Sequence, residues 1–398
     1  MVMKSNGIKI HMHDFAGHPF QAELSNELAE SGFTLVHTFF GHVGPTKALA
    51  EDVYKNGRIE FQKISLKQEY EVHNLPKRIL FELKLAGRLL SIHYRFRPHV
   101  TIFANTPLIA ATVFRFFVPN SNFILWHQDI FSKAIGMRFN SGTKDRSISQ
   151  RLQIYVVEIL ERRLVRKSDQ VICISDAFLS VYDKWSVDSN KVNVIENWAP
   201  LDQIQFFPKI RTTEGTLKLI YAGTLGLKHN PQLLIQLMDE LEKVSIDGEL
   251  VVISEGEGAN YLKKMSNFNN SISVIGYVSI SELNEKLAYA DFALMLLEEG
   301  ASEFSVPSKT YSYLAAGKCV VAFAPKSNAA SLAIAKAGGF VFTPDTEGVM
   351  KATRLIFSLS KEEILEIELQ ARNYAELNFN IANKKILFRE IIARLIQF

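Results

Sequence analysis

Two short turns in the second half of the chain carry residues suited to holding a diphosphate. The first is YAGTLGLKHNP, residues 221–231, where a strand leads through a glycine-bearing turn into a helix. Gly223, Thr224 and Gly226 shape a turn that lets the backbone approach a ligand, and the following helix points its positive end at that turn. Lys228 adds a cation that can neutralise phosphate. Taken alone, the motif also fits a structural glycine turn with a surface lysine.

The second turn is VPSKTYSYLAAG, residues 306–317, which places Val306 and Pro307 before a predicted helix. Proline presets the turn, the amides of Ser308 and Lys309 lie at the helix N-terminus, and the Lys309 side chain adds charge. In isolation, an N-cap serine with an exposed lysine is the simpler explanation of this motif. Because both motifs follow strands of one α/β segment, together they favour an anionic-ligand site.

Polar residues also follow strands in the first half of the chain. His127 and Asp129 come just after the apolar run ILW, where an α/β cleft collects reactive groups, so they are candidates for a general base or an electrostatic partner. An ion-paired structural aspartate is the alternative. Near the N-terminus, His11, His13 and Asp14 have side chains that ligate metals, but alternate residues of one strand are weakly constrained. We therefore predict no metal site.

A basic stretch, residues 74–99, reads as an amphipathic helix. It holds six lysines and arginines against one acid, Glu82, while Ile79, Leu80, Leu83 and Leu90 recur at helical spacing. Such a helix can lie on an anionic lipid surface, where each basic residue contributes about 1 kcal/mol. A solvated helix face over the domain core explains the same pattern.

Length and composition narrow the class of protein. A chain of 398 residues is too long for one ordinary core and predicts two domains. A net charge of only +3 argues against a dedicated nucleic-acid binder. The two cysteines lie in apolar runs without zinc spacing, and neither a signal core nor an 18-residue apolar span is present. These features predict a cytoplasmic protein, either soluble or peripheral at the inner face of a membrane.

The elements that position these residues alternate between strand-like apolar runs and helical patterns. That alternation predicts βαβ units in two doubly wound α/β domains with a cleft between them. The segment 199–216, with two prolines and Gly215, interrupts the pattern and is the expected linker. We therefore expect an N-terminal domain over 1–199, a C-terminal domain over 200–375 and a final helix over 376–398. In such sheets ligands bind at the carboxyl ends of strands.

The order of these motifs resembles retaining GT-B glycosyltransferases of family 4, in particular the bacterial surface-polysaccharide enzymes of the exopolysaccharide, O-antigen and colanic-acid type. The matching stretches run nearly end to end. They are the Gly17 loop, PHVTIFANTPL, WHQDIFS, DQVICIS, VNVIENWAP, YAGTLGLKHNP, ISEGEG, VIGYV and VPSKTYSYLAAGKCVVAF.

The resemblance implies a Rossmann-like acceptor domain followed by a donor domain, with the last helix crossing back to the first. The Gly17 loop would face the donor diphosphate, and His127 or Asp129 would lie beside the transferred sugar. Lys228 would contact the phosphates, and Ser308 with Lys309 would close around the donor. The base would meet the backbone of Gly276, Tyr277 and Val278, a segment that fits a core strand end equally well.

One departure from the family pattern concerns two glutamates that usually lie eight positions apart around the last motif. The second, which holds the ribose, corresponds here to Ser312, and the first aligns with Phe304 beside Glu303. Whether Glu303 or Ser312 replaces the usual pair is therefore open.

The resemblance also sets the expected substrates. It implies no cofactor and a nucleotide-sugar donor, with a UDP-sugar first and a GDP-sugar second. The acceptor is expected to be an undecaprenyl-diphosphate-linked glycan at an anionic membrane surface. A sugar-nucleotide epimerase of the same architecture, or a homologue that binds nucleotide sugar without catalysis, is the alternative.

Overall fold

The computed structural model describes most of the chain, in two compact units. The described residues are 7–15, 19–40, 57–67, 70–71, 74–138, 147–208, 216–226, 229–266, 271–298 and 306–396. One unit comprises Met1–Asn197 with Ile381–Phe398, and the other comprises Trp198–Asn380. The first boundary between the units, 197/198, lies two residues before the expected boundary at 199/200. The second, 380/381, lies five residues after the expected boundary at 375/376.

The first unit is built on a parallel sheet of seven strands. The strands are β1 (Lys9–Asp14), β2 (Thr34–Phe39), β3 (Ile59–Lys63), β4 (Val100–Ala104), β5 (Asn122–His127), β6 (Gln170–Cys173) and β7 (Val192–Val194). Their spatial order is β3-β2-β1-β4-β5-β6-β7. Runs such as VTIFA in β4 are buried along their whole length, as expected for strands covered on both faces.

The helices of the first unit connect these strands. They are α1 (Pro19–Glu30), α2 (Leu75–Phe96), α3 (Leu108–Phe117), α4 (Phe131–Arg138), α5 (Ile148–Lys167) and α6 (Leu179–Lys184). Asn74 caps α2 by accepting a hydrogen bond from the Lys77 amide. Through α2 the chain passes from β3, at one edge of the sheet, to β4 beside β1. The strand order therefore reverses between β1 and β4, which is where ligands bind in doubly wound sheets.

The second unit repeats this plan with six parallel strands. Its strands are β8 (Leu217–Ala222), β9 (Gly248–Ile253), β10 (Ile272–Ile275), β11 (Phe292–Leu296), β12 (Cys319–Phe323) and β13 (Phe340–Phe342). The order β10-β9-β8-β11-β12-β13 reverses between β8 and β11. Its helices are α7 (Gln232–Lys243), α8 (Glu257–Ser266), α9 (Ile280–Tyr289), α10 (Lys309–Ala315), α11 (Ala329–Lys336), α12 (Thr346–Ser358) and α13 (Lys361–Asn378).

The last helix, α14 (Ile381–Ile396), follows α13 along the chain but packs in the first unit. Its Phe388 ring meets Trp126 with centroids 4.9 Å apart, and Lys385 forms an ion pair with Glu27 of α1. Burial of Phe388, Ile391 and Ile392 against that unit fixes the helix there.

The segment expected to be a linker, 199–216, packs in part inside the second unit. Its Ile204 is fully buried, and so is Trp198 just before it. Arg372 of α13 donates to the backbone carbonyls of Ile204, at 3.2 Å, and Ala315, at 2.6 Å. Residues 209–215 of this segment lie outside the described residues. The sequence pattern missed the packing because two prolines and several polar residues surround the apolar anchors.

The prediction of two doubly wound, parallel α/β domains is confirmed. Within the described residues, no helix is long and apolar enough to cross a bilayer.

Candidate functional site

Gly223 opens the turn at the carboxyl end of β8, where the second sheet reverses its strand order. Its φ is +132°, a conformation that side-chain-bearing residues rarely adopt. Its amide donates to the carbonyl of Ile253 at the end of β9, at 2.9 Å. A Cβ at this position would lie 3.0 Å from Cε of Lys309. A residue with a side chain at this position would therefore both strain the turn and displace the lysine side chain.

Lys309, the first residue of α10, folds its side chain over this turn. Nζ donates hydrogen bonds to the Tyr221 hydroxyl and, at 3.5 Å, to the Thr224 carbonyl. It also lies 3.8 Å from the Tyr221 ring centroid. Burial lowers the pKa of Lys309 from 10.5 to about 7, because the charged form loses its hydration. The expectation of an exposed lysine was therefore wrong, since Tyr221 covers it.

Thr224 connects the turn after β8 with the turn after β10, at the carboxyl ends of these strands. Its carbonyl accepts a hydrogen bond from the Tyr221 hydroxyl at 3.0 Å, and its Oγ1 lies 3.0 Å from the Tyr277 hydroxyl. Tyr277 follows β10 and is 56 % exposed. A Cβ on the preceding Gly276 would meet the Glu255 carboxylate at 3.3 Å. The predicted residues Gly223, Thr224, Gly276, Tyr277 and Lys309 thus converge.

Tyr221 and Tyr313 form hydrogen bonds between the end of β8 and α10. The sequence reasoning missed both residues. The Tyr313 hydroxyl accepts from the Ala222 amide at 2.7 Å and donates to the Ala222 carbonyl at 3.2 Å. Burial raises the pKa of Tyr313, so the hydroxyl keeps its proton. The only signal in the sequence is the spacing, because Tyr313 lies four residues after Lys309 and therefore on a neighbouring part of the helix.

The start of α10 places the other residues of its motif. Ser308 is exposed and makes no side-chain cap, so the structural N-cap explanation does not hold for it. The Pro307 carbonyl accepts from the Thr310 amide at 3.0 Å, which begins the first turn. Ser312 is half-buried one turn after Ser308. Val306 and Val278 are also half-buried at this edge.

Gly226 differs from its predicted role in one respect. Its amide donates to Nδ1 of His229 at 3.1 Å, and the His229 amide donates back to the Gly226 carbonyl at 3.0 Å. The imidazole therefore takes up the Gly226 amide, one of the backbone groups of the turn that was expected to let the backbone approach a ligand. Three predicted site residues, Gly17, Lys228 and Glu303, lie outside the described residues.

In the first unit, His127 ends β5 and is buried. Its Nδ1 lies 2.8 Å from the Tyr182 hydroxyl, and its Nε2 lies 3.1 Å from Oε1 of Glu161. Both ring nitrogens are thus engaged inside the protein. The role of His127 as a general base therefore needs correction, because neither nitrogen is open to a substrate in this structure.

Glu161 of α5 organises this region and was not found from the sequence. It is buried and accepts from the amides of Phe131, at 2.6 Å, and Ser132, at 2.9 Å, as well as contacting His127. A carboxylate at the start of α4 satisfies amides that have no partner within the helix. Its 34-residue separation from His127 left no local signal in the sequence.

Asp129 stands apart from this buried group. It is exposed on the loop between β5 and α4, which Gln128 anchors through paired amide hydrogen bonds with Asn197 at 3.1 and 2.9 Å. A small pocket here is lined by Asn105, Thr106, Leu108, Leu125, Trp126, His127, Gln128, Asp129, Phe131, Glu161 and Leu164. Of the two predicted catalytic residues that the structure describes, Asp129 is the accessible one.

His11 and His13 lie inside the core. Nε2 of His11 and Nδ1 of His13 each lie 3.0 Å from Oγ1 of Thr38, and both rings meet Phe103 edge-on. Burial lowers the pKa of His13 to about 3 and that of His11 well below 6.5. Across the described part of the chain, no three histidine, cysteine or acidic side chains are grouped to hold a metal ion.

A comparison with models of known protein families finds a match in the second unit. Residues 216–358 match the family model described as glycosyl transferases group 1. This range contains Gly223, Thr224, Tyr277 and Lys309. No curated protein sequence matches the chain.

Solved structures match the chain along nearly its whole length. Sucrose-phosphate synthase from Thermosynechococcus elongatus aligns with a TM-score of 0.74 at 11% identity, covering 98% of this chain and 99% of that one. A glycosyltransferase from Rickettsia africae aligns at 0.69 and 16% identity, with 98% and 99% covered. WaaG, a glycosyltransferase involved in lipopolysaccharide biosynthesis, aligns at 0.61 and 12% identity, with 93% and 95% covered. The chain thus has the GT-B glycosyltransferase fold, and residues 216–358 carry the sequence pattern of glycosyl transferases group 1.

Proposed function

We propose that the protein is a retaining glycosyltransferase that moves a hexosyl group from a nucleotide-diphosphate sugar to a glycan acceptor. The observation that carries this proposal is the convergence of Gly223, Thr224, Tyr277 and Lys309 at one edge of the second sheet. That edge lies where the strand order reverses, which is the general ligand position in such folds. The family match over 216–358 supports the same assignment.

The chemistry requires stabilisation of a departing diphosphate. The bond between the anomeric carbon and the diphosphate oxygen breaks, which leaves an oxocarbenium-like sugar and an anionic nucleotide. Positive groups fixed in advance at this position stabilise the developing charge. Lys309 supplies an ammonium here, and the glycine turn at Gly223 lets backbone approach the phosphates. We expect Lys228 and the Gly17 loop to add contacts.

The configuration at the anomeric carbon is retained if the acceptor hydroxyl attacks from the same face from which the diphosphate leaves. The new bond joins the acceptor oxygen to the anomeric carbon, and the hydroxyl proton passes to the departing phosphate oxygen. No protein nucleophile is needed in this scheme. Asp129, exposed at the end of β5, orients the acceptor or the transferred sugar, whereas buried His127 and Glu161 position the loop that carries it.

The donor is proposed to be a UDP-sugar, with a GDP-sugar second. The base would lie along Gly276, Tyr277 and Val278, beside the exposed Tyr277 ring. Ser312 would take the ribose contact with a hydroxyl, which donates as well as accepts. The assignment of Glu303 as a partner of the transferred sugar stays a prediction.

The acceptor is proposed to be a lipid-linked glycan, specifically one carried on undecaprenyl diphosphate in bacterial polysaccharide synthesis. Support comes from the order of the sequence motifs and from the fold shared with WaaG. A protein that transfers sugar to such an acceptor would work as a peripheral protein at the cytoplasmic face of the membrane.

Ser312 supports one competing function, nucleotide-sugar binding without catalysis, because it stands where a ribose-binding glutamate is usual. An epimerase of the same fold is the other alternative, and it would release free nucleotide and sugar without an acceptor. Incubation of the protein with a labelled nucleotide sugar and membrane extract separates the three. Label in lipid indicates transfer, free altered sugar indicates epimerisation, and unchanged donor indicates binding alone.

The donor site itself is tested by calorimetric titration of UDP and GDP into the wild-type protein and Lys309→Ala. Loss of a charge-assisted phosphate contact should weaken binding by about 1.5–3 kcal/mol. Lys336→Ala, at an exposed lysine of α11 in the same unit, is the matched control. Equal affinity of the wild type and Lys309→Ala would remove this edge as the donor site.

A further inference from the structure

The outer face of α2 combines apolar and basic side chains. Ile79, Leu80 and Leu83 are exposed along it, although a helix in a globular unit usually buries such residues. Beside them, Lys84 and Arg88 are exposed on the same side of the helix. The sequence pattern indicated this helix as a candidate lipid-binding element, and its exposure in the fold agrees with that pattern.

A second helix, α5, has a face of the same kind. Ile148, Leu152, Tyr155 and Val156 are 87, 60, 62 and 46 % exposed and recur at helical spacing on one side. Five exposed basic residues share this helix, namely Arg151, Arg162, Arg163, Arg166 and Lys167. The apolar side chains occupy its N-terminal half, and most of the cations follow in its C-terminal half.

The two helices belong to one layer of the first unit, because α3 packs against both of them. The C-terminal end of α3 adds Phe116 and Phe117, which are 68 and 56 % exposed. The Tyr94 hydroxyl of α2 donates to the Phe117 carbonyl at 3.1 Å, which holds that end beside α2. We call the exposed side of α2, α3 and α5 the three-helix face.

All three acidic residues of these helices point inward. Glu82 is buried, where it accepts from Arg78 Nε at 2.8 Å and from the Ile109 amide at 2.9 Å. Glu158 accepts from the indole nitrogen of Trp185 at 2.9 Å. Glu161 is buried at the start of α4. The helices of the three-helix face therefore expose nine lysines and arginines, and none of their acids is fully exposed. One of the nine, Lys77, forms an ion pair with Glu71 just before α2, at 2.7 Å.

We infer that the three-helix face docks on an anionic lipid bilayer. Its cations match negatively charged headgroups, while its leucines and aromatic rings can enter the boundary between headgroups and acyl chains. A second copy of the chain fits poorly, because a symmetric contact brings the same cations together, and the helices present no fully exposed acid to compensate for them. A nucleic acid satisfies the cations but leaves the exposed aliphatic side chains in water.

This inference deepens the membrane location given under the proposed function, on which it rests. It is tested without measuring activity, so that its failure can be told from failure of the sugar transfer. The full-length protein is sedimented with vesicles of equimolar phosphatidylglycerol and phosphatidylcholine, and with vesicles of phosphatidylcholine alone. Binding is expected only to the anionic vesicles and should fall as salt rises from about 0.1 M to about 1 M, where the screening length drops from about 10 Å to about 3 Å.

Two double variants test the two helices separately. Arg162→Gln with Arg166→Gln on α5, and Lys84→Gln with Arg88→Gln on α2, should each reduce vesicle affinity by roughly 10- to 30-fold, at roughly fivefold for each cation. Lys264→Gln with Lys336→Gln removes the same charge from the second unit and should leave affinity unchanged. Circular dichroism and UDP affinity of each variant show that the fold is intact.

A third variant addresses the apolar contribution. Leu152→Ser with Tyr155→Ser keeps every charge and should still weaken vesicle binding, because the apolar side chains no longer enter the bilayer. The inference is overturned if the wild type fails to sediment with anionic vesicles at low salt, or if the α5 variants bind as the wild type does. The inference is also overturned if Lys264→Gln with Lys336→Gln loses as much vesicle affinity as the α2 and α5 variants do. Such a result would show that only the net charge of the protein matters.

Discussion

The ammonium nitrogen of Lys309 lies 3.8 Å from the centroid of the Tyr221 ring and also donates to the hydroxyl of that tyrosine. The ring favours the charged form of the lysine, whereas burial disfavours it. Burial dominates and lowers the pKa of Lys309 to about 7. At neutral pH the proposed phosphate-binding cation is therefore only partly protonated before a ligand binds.

Binding of a nucleoside diphosphate should take up a proton above pH 7. A diphosphate beside Lys309 favours the ammonium and raises its pKa, so affinity should fall up to tenfold for each pH unit above about 7. Calorimetric titration of UDP at pH 7 and pH 8.5, in buffers of different ionisation enthalpy, measures both the affinity and the proton uptake.

Lys309→Arg is the control for this pH dependence, because a guanidinium stays protonated throughout the range. Its affinity for UDP should not vary between pH 7 and pH 8.5, and its proton uptake should vanish. Identical proton uptake by the wild type and Lys309→Arg would show that another group titrates.

Replacing Gly223 by alanine should both destabilise the second unit and weaken donor binding. The φ of +132° is strained for alanine, at a cost of about 1–3 kcal/mol, and the added Cβ would push Lys309 from its position beside Tyr221. Urea denaturation and UDP titration of Gly223→Ala measure the two effects.

Gly87→Ala is the matched control, since this glycine lies inside α2 with no atom within 4 Å of its added Cβ. Helix propensity predicts a gain of about 0.5–1 kcal/mol at that position. A Gly223→Ala variant with wild-type stability and UDP affinity would contradict the role assigned to this turn.

The sequence was sufficient to predict the strands, the turns after them and the edge at which the proposed site lies. YAGTLG and VPSK could be placed at strand ends because apolar runs and glycine or proline mark those positions locally. The covering of Lys309 by Tyr221, 88 residues away, depends on how α10 packs on β8, and no local pattern contains that packing. Glu161 was missed for the same reason. The exposed apolar face of α5 escaped notice because apolar residues at helical spacing usually mark a buried face.

The stability of the first unit should fall as pH drops below 6.5. Burial lowers the pKa of His13 and His37 to about 3, and that of His11 also well below 6.5. The unfolded chain binds protons at these histidines near pH 6.5 and the folded chain does not, so acid favours unfolding. Each histidine should cost about 1.4 kcal/mol for every pH unit below 6.5.

Urea denaturation followed by tryptophan fluorescence at pH 7 and pH 5.5 measures this loss. His13→Leu should reduce the pH dependence, because one of the buried imidazoles whose pKa is lowered is gone. Equal stability of the wild type at both pH values would refute the assignment of these three rings as neutral core residues.

Sugar transfer should not require a metal ion. Lysine and backbone amides supply the positive charge that stabilises the departing diphosphate in the proposed mechanism. Activity with labelled donor and membrane extract should therefore persist in excess EDTA. If EDTA abolishes activity and manganese or magnesium restores it, the proposed charge stabilisation is wrong.

Substitutions of Asp129 and Glu161 should have different effects, because Asp129 is proposed to contact the substrate whereas Glu161 positions the loop. Asp129 is exposed, so Asp129→Asn should lower kcat while leaving the free energy of unfolding and UDP affinity near those of the wild type. Glu161 is buried and satisfies two helix amides, so Glu161→Gln should lower the free energy of unfolding by about 1–3 kcal/mol. Urea denaturation together with kinetics at saturating donor distinguishes the two effects. If Asp129→Asn retains wild-type kcat and only Glu161→Gln loses activity, the assignment of Asp129 to the reacting sugar is wrong.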